Sequence, residues 1–262
     1  MPEIVEVRLT QEFLHNYLTG ECVEDWTLID CKAAEQDNTD FEKALPLLVD
    51  SVKRKGKFIY FTLTNGEQTF YVLHSMRMTG SWLRDEPDYC TSCITLENKP
   101  PLYFRDPRKF ATFTFTNDYD VLAEYLDKLG PDVMSNEFTL EAFEKIVRKH
   151  SRKNITSMLM NQDVLSGIGN WIKSEVLYEA CISPLRRTGS LEKDEVEVLY
   201  NAIRRITEEA YRLGGVSVRD YVDENGEKGE YEHYLQAYGN PDMTCTKTPD
   251  GRTTWWDEER QV

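Results

Sequence analysis

Two glutamates and a proline crowd the start of the chain. In MPEIVEV, Pro2 follows the initiator methionine, Glu3 comes next, and Glu6 stands three residues further on. These residue types have an ordinary use. Proline is tolerated at a first helical position because its missing N–H would be unsatisfied there anyway, and early glutamates complement the helix dipole. They also have a chemical use. Methionine before a small residue is commonly trimmed, and the new terminus would be a secondary amine beside a carboxylic acid. On seven residues alone, the helix start is the reading to prefer.

Other stretches carry cations and glycines. SVKRKGKF holds Lys53, Arg54, Lys55 and Lys57 at the start of a strand, either as a solvated edge or as phosphate contacts. VRKHSRK ends a helix ahead of NITSMLMNQDVLSGIGNWIKSEVLYEA. Within it GIGN sits between two helical runs. The N–H groups that open the second run, at Asn170 and Trp171, can hold an anion, although a glycine turn is often only a turn. FRDPRKF ends a strand with three cations and an aromatic. If the chain there is extended, Arg108 and Phe110 project on the same side, as needed to plug a hole in a base stack; the alternative buries Phe110 in the core. CTSC, Cys90 to Cys93, is half of a zinc site with no second pair at usable spacing.

The elements that must position these groups come in two grammars. From Glu3 to Leu18, Val5, Leu9, Phe13 and Tyr17 recur every four residues as a buried stripe, and Gly20 can cap the end. Short β-type runs follow: KFIYFTL, QTFYVLH, CITLENKPPLYF and KFATFTF, separated by polar turns. Strands behind one leading helix predict a β-sandwich. From about LDKLGPDVM the pattern turns helical, with TLEAFEKIVRKH and a long helix from about Leu191 to Leu213 that stops at Gly214-Gly215. The expected class is α+β, with domains at 1–132 and 133–262.

Bulk properties restrict the function. A chain of 262 residues can build two cores. No apolar run is long enough to span a bilayer. Six scattered cysteines suit a reducing interior rather than a disulfide scaffold. The reading is therefore of an intracellular monomer, in cytoplasm, nucleoid or nucleus. A net charge of −15 argues against casual nucleic-acid binding, but phosphate contacts follow local charge, and the basic stretches are local.

The order of these signals is informative. An N-terminal Pro-Glu, a lysine-bearing strand, MRMTG, DPRKF, GIGNWIKSEVLYEA, GGVSVRDYV and a terminal GRTTWW together resemble the formamidopyrimidine-DNA glycosylase and endonuclease VIII family. The resemblance runs from Met1 to the C-terminus. It implies a β-sandwich, a helical domain with a helix–two-turns–helix motif, and a DNA cleft between them. The implied activity is excision of an oxidised base followed by cleavage at the abasic site. The partner would be double-stranded DNA carrying an oxidised base or an abasic site.

By that resemblance Pro2 is the nucleophile, Glu3 the acid that protonates the opening sugar, Glu6 a second acidic position and Lys57 a strand lysine that contacts the lesion-side phosphate and assists catalysis. An α-amine with a pKa near ~8 offers a usable neutral fraction at pH 7, which a lysine near ~10.4 does not. Ile4 and Val5 stand where many members have Leu-Pro. Met78, Arg108 and Phe110 fall on the positions that fill the gap left by the extruded base, although Met78 also suits a core. Asn170 matches the phosphate-binding asparagine. The terminal hairpin, about 240–262, keeps only Cys245, with Asp257 and Arg260 near where two further cysteines would fall. It resembles a zincless finger with Arg252 retained, so no metal and no cofactor are expected. The lean is toward formamidopyrimidines and 8-oxoguanine, with overlap onto oxidised pyrimidines. A non-catalytic lesion-binding protein and an N-terminal-proline tautomerase are the competing readings.

Overall fold

The first helix, α1 (Ile4–Leu18), begins where Glu3 takes an extended conformation as its N-cap. It ends where Gly20 adopts a φ of 82°, a left-handed value that glycine reaches without strain. The computed structural model describes residues 2–29, 37–217 and 222–262. The buried line of α1 is Ile4, Val7, Leu14 and Leu18. A strict four-residue spacing drifts off a 3.6-residue period, so of the expected stripe only Val5 is fully buried. Leu9, Phe13 and Tyr17 lie half-buried on the flank.

Eight strands follow: β1 (Cys22–Leu28), β2 (Leu47–Lys55), β3 (Phe58–Thr64), β4 (Thr69–Ser75), β5 (Ser81–Leu83), β6 (Cys90–Leu96), β7 (Leu102–Arg105) and β8 (Thr112–Thr116). A short helix, α2 (Thr39–Ala44), precedes β2, and α3 (Tyr119–Lys128) follows β8. They form one antiparallel sheet in the order β5-β7-β6-β1-β2-β3-β4-β8. The link between its halves is thin, since β1 meets β2 only at Cys22↔Leu48 and Val23↔Leu47. There the sheet folds over and buries aromatic rings between its halves. Trp26 on β1 meets Phe61 on β3 edge-on at 5.0 Å, and Phe104 on β7 meets Phe113 on β8 at 5.4 Å. The expected β-sandwich is thus present. His74 sits inside it as a neutral ring, its pKa driven down to about 3 by burial. Its Nδ1–H donates to Thr112 O at 3.0 Å, and its Nε2 accepts from Trp82 Nε1 at 3.3 Å.

One expectation changes in this region. The SVKRKGKF cations do not begin a strand: Lys53, Arg54 and Lys55 close β2, and Lys57 sits in the turn to β3. Lys55 pairs with Phe58, leaving a two-residue turn whose first member, Gly56, has φ 57°, as hairpin turns of this length prefer. Cys90 and Cys93 lie half-buried on β6, where burial pushes both thiols up and away from the thiolate a metal needs. Cys31 lies outside the described residues.

The chain divides into two compact units, residues 1–127 with 214–229, and residues 128–213 with 230–262. The division expected at 132 therefore falls slightly earlier, and the segment after the long helix joins the first unit. The second unit contains α4 (Leu140–Lys149), α5 (Ile155–Met160), α6 (Asn170–Glu179) and α7 (Lys193–Arg212). Thr139 caps α4 by accepting from Ala142 N–H at 3.2 Å, and Asn154 caps α5 through Thr156 N–H at 2.8 Å. Helix α7 buries Val196, Leu199, Ile203, Ile206 and Ala210 as its periodicity predicts, while Leu213, expected on the same face, is the half-buried C-cap. Between α5 and α6 the Gln162 side chain spans two turns, donating to Ile168 O and accepting from Gly167 N–H, both at 2.9 Å. The unit ends in a hairpin of β9 (Thr244–Lys247) and β10 (Thr253–Trp256). Among the described residues, no helix is long and apolar enough to cross a membrane.

Candidate active site and nucleic-acid contacts

The acidic start of the chain is a capping box. Glu6 Oε2 accepts the Glu3 N–H at 2.7 Å, which fixes the first turn of α1. Pro2 is buried, and Glu3 and Glu6 are only 1% and 0% exposed. Carboxylates on a surface helix would be solvated; these are not. Glu6 Oε1 accepts a second N–H, from Val216 at 2.8 Å. Burial pushes Glu6 up to about 7, the hydrogen bonds from Val216 and Glu3 pull it back in part, and the neighbouring Glu3 charge adds to the rise. Gly215, at φ 81°, closes the carboxylate in: a Cβ there would stand 2.9 Å from Glu6 Oε1. The arrangement places a carboxyl whose pKa is raised to about 7 in the first turn of α1, just past the N-cap Glu3 and Pro2.

Lys57 lies half-buried at the turn between β2 and β3. Its neighbour Lys55 is committed elsewhere, donating to Leu126 O at 2.8 Å.

Met78 and the Arg108–Phe110 pair occupy two loops of the same unit. Met78 is half-buried after β4, beside Arg77 at φ 54°. Arg108 is exposed, and so is Phe110, at 53%. An exposed phenylalanine removes the core-packing alternative. The reason given for Arg108 and Phe110 projecting together does not hold, however. Residues 106–109 form a turn, with Lys109 N–H donating to Asp106 O at 3.0 Å, and Lys109 has φ 54°. Alternation along an extended chain does not apply across a left-handed residue.

In the second unit Asn170 opens α6 behind the N-cap Gly169. Its Nδ2 donates to Thr253 O at 3.0 Å, and its Oδ1 has no hydrogen-bond partner. An amide nitrogen carries two hydrogens, so one remains to donate to a phosphate beside the helix N-terminus. Thr253 follows Arg252, which is exposed at the hairpin tip. The tip is a turn at Pro249-Asp250: Gly251 N–H donates to Thr248 O at 2.9 Å, and Gly251 takes φ 79°.

Lys173, Asp250 and Glu175, which help to hold this hairpin, escaped sequence reasoning. Lys173 Nζ meets Asp250 Oδ2 at 2.7 Å, with both side chains essentially buried, at 0% and 2%. Burial alone would push Asp250 up, but the hydrogen bonds from Lys173 and Thr248 and the Lys173 charge together outweigh it, and the carboxyl is held low. Asp250 also accepts the Thr248 hydroxyl. Trp256 is buried and donates to Thr246 Oγ1 at 3.0 Å, while Trp255 packs on Tyr238 at 4.6 Å. Glu175 on α6 accepts the N–H groups of Gln236, Ala237 and Tyr238 at 2.6–2.9 Å, anchoring the strand of chain that leads in. A lysine among the apolar residues of WIKSE was the one available signal.

The hairpin's donor set does not fit zinc. Asp257 accepts from Glu259 N–H and Arg260 N–H, and Arg260 is a cation lying 4.2 Å over the Tyr178 ring. Among the described residues no three His, Cys, Asp or Glu side chains are grouped to hold a metal ion.

Residues 1–113 match the formamidopyrimidine-DNA glycosylase N-terminal domain, and residues 129–222 match the H2TH domain of the same glycosylases. The chain is 32% identical over 255 residues to a formamidopyrimidine-DNA glycosylase of Listeria monocytogenes, covering 94% of this chain and 91% of the relative. It is also 32% identical over 253 residues to that of Desulfitobacterium hafniense, with the same coverage of 94% and 91%. Among solved structures, MutM (Fpg) from Thermus thermophilus superposes with a TM-score of 0.85 at 27% identity, over 99% of this chain and 98% of that one. A Lactococcus lactis Fpg mutant in complex with Fapy-dG-containing DNA superposes at 0.87 with 25% identity, over 99% of both chains.

Proposed function

The chain belongs to the formamidopyrimidine-DNA glycosylase family and is a DNA repair glycosylase for oxidised bases; on that premise we propose that it is also an AP lyase working through the Pro2 amine. The observation that carries the proposal is the buried Pro2-Glu3-Glu6 turn, in which Glu6 is pushed to about 7. The amine attacks C1′ of the damaged nucleotide. Glu3 gives its proton to the ring oxygen, the base departs, and an iminium joins Pro2 to the opened sugar. Loss of a C2′ proton then expels the 3′ phosphate, and water releases the amine. Glu6 can hold or release a proton at neutral pH one helical turn from this chemistry.

The remaining residues bind. Lys57 contacts the lesion-side phosphate and assists the catalysis, Asn170 and Arg252 contact phosphates, and Met78, Arg108 and Phe110 fill the stack that the extruded base leaves, Arg108 facing the orphaned base. Arg252 works at the tip of a finger that needs no metal. The substrates are formamidopyrimidines and 8-oxoguanine in duplex DNA, and the protein acts as a monomer inside the cell. The lean toward these lesions drew on GGVSVRDYV, of which residues 218–221 lie outside the described residues. It is supported by the L. lactis relative bound to Fapy-dG-containing DNA.

Borohydride trapping on a panel of lesion and abasic duplexes tests the reading. Wild-type protein is expected to form a covalent adduct with its mass consistent with loss of Met1, and Pro2→Gly to lose it. An active protein that retains Met1, or a chain that binds lesions without trapping, defeats the lyase assignment. Faster excision of 5-hydroxyuracil or thymine glycol than of either purine lesion would reverse the lesion preference.

A further inference from the structure

Asp106 begins the turn that carries Arg108 and Phe110, and it is fully buried. Its two carboxylate oxygens face different segments of chain. Oδ2 accepts the Ala111 N–H at 2.7 Å, which closes the turn behind Phe110. Oδ1 accepts the hydroxyl of Thr79, the buried residue next to Met78. The backbone of Asp106 adds two more bonds, accepting from Lys109 N–H at 3.0 Å and donating to Tyr89 O at 3.1 Å. One residue therefore ties the loop after β4, the chain entering β6 and the turn after β7.

The same loops hold unfavourable backbone. Arg77, Tyr89 and Lys109 have φ of 54°, 61° and 54°. Non-glycine residues visit this region rarely and stay there only where the surroundings impose it. Close packing fixes the loop after β4 as well: a Cβ on Gly80 would lie 2.6 Å from Met76 O. These are the properties of loops set before binding, not shaped by it.

We infer that Asp106 is a positioning residue that presents Met78, Arg108 and Phe110 as one preformed group, so that all three enter the base stack in register. The inference rests on the reading of those three side chains as stack-filling groups. Its physical basis is that exposed side chains on independent loops would have to be ordered during binding, and that ordering costs affinity. A misplacement of about 1 Å at a reacting site can cost on the order of 10²-fold in rate.

The test compares Asp106→Ala, Asp106→Asn and Thr79→Val with Met78→Ala, Arg108→Ala and Phe110→Ala. Read-outs are single-turnover excision of a lesion placed opposite cytosine or adenine, and fluorescence of 2-aminopurine next to the lesion. Asp106→Ala is expected to slow excision by about 10²-fold, to weaken base unstacking and to flatten the opposite-base preference as Arg108→Ala does. Asparagine can accept from Ala111 and donate to the Thr79 hydroxyl, so Asp106→Asn should recover most of the loss. Thr79→Val should reproduce Met78→Ala and keep the opposite-base preference. A folded Asp106→Ala with wild-type unstacking and preference overturns the inference, as does an Asp106→Asn no better than alanine. Should Asp106→Ala not fold, a Thr79→Val protein with unchanged unstacking overturns it. If Met78→Ala, Arg108→Ala and Phe110→Ala all leave excision untouched, it is the stack-filling reading that fails, whatever Asp106 does.

Discussion

Helices α1 and α7 begin with the same device in different surroundings. Each has a glutamate N-cap followed three residues later by a second glutamate, Glu3 with Glu6 and Glu192 with Glu195, and in each the cap N–H reaches the second carboxylate at 2.7 Å. At α1 both carboxyls are buried, the added partner is a neutral N–H, and Glu6 rises to about 7. At α7 the box is solvated and Glu195 takes the Arg186 guanidinium, with Nη2 donating to Oε2 at 2.9 Å, so its carboxyl is held low. The hydrogen bonds that start the helices are alike. What separates the two pairs is burial: the α1 carboxyls are buried and Glu6 is raised, while the α7 box is solvated and Glu195 is held low. Lys173–Asp250 completes the comparison, since Asp250 is buried with a cation and stays low.

The hardest blow to this contrast is an isosteric change in both boxes. Glu3→Gln is expected to cost roughly 10²–10⁴-fold in base excision, and less on a preformed abasic site, whereas Glu192→Gln leaves excision at the wild-type rate. Single-turnover assays on both substrates decide it; equal damage from the two variants would erase the distinction. Next in size is Lys173→Met, which strands Asp250 in the interior and should cost about 3–5 kcal/mol in denaturant unfolding. Adding Asp250→Leu should restore much of that, whereas no recovery would mean the lysine acts other than through its partner.

Stability against pH sharpens the contrast further, because the two glutamates must act with opposite sign. Glu6 has its folded pKa raised from 4.5 to about 7, so folding favours its protonated form. That contribution is complete below pH 4.5 and is lost as pH rises through 7, a swing of about 3 kcal/mol that Glu6→Gln should remove. Glu195 has its folded pKa lowered, so its contribution is present above 4.5 and is lost as pH falls below that value. Glu195→Gln should remove this smaller term, under about 1 kcal/mol for a solvated pair. In thermal melts from pH 2 to pH 8, the difference between wild type and Glu6→Gln should fall with rising pH and that between wild type and Glu195→Gln should rise with it, and parallel curves would contradict it.

Periodicity made the helices legible. The α7 stripe and the Thr139 start of α4 both rest on local spacing, and the structure follows them. β1 and β2 were not legible, because Glu24, Asp25, Asp50 and Lys53 break up their apolar residues, and tertiary pairing rather than pattern makes them strands. The same limit applies at the site. Pro2, Glu3 and Glu6 lie close in sequence, yet their spacing read locally as a helix start, and only the resemblance singled them out as a site. Arg108 and Phe110 were picked out by residue type, but the geometry was misjudged because the positive φ of Lys109 leaves no mark in the residue letters. Lys173 and Asp250 stand 77 residues apart, and Asp106 and Thr79 stand 27 apart. Only folding brings such pairs together.

The way the finger is held bears on where such a protein can work. Oxidants that damage DNA bases also attack thiolates, and a finger built on zinc–sulfur bonds is then exposed to the agents whose products it repairs. Here the tip is fixed by an ammonium–carboxylate pair, two threonine hydroxyls 2.7 Å apart and an indole N–H bonded to a third. None of those bonds contains sulfur. Peroxide at levels that strip metal from thiolate fingers has nothing to oxidise in them, so the contact proposed for Arg252 should persist through the oxidative stress that damages DNA bases.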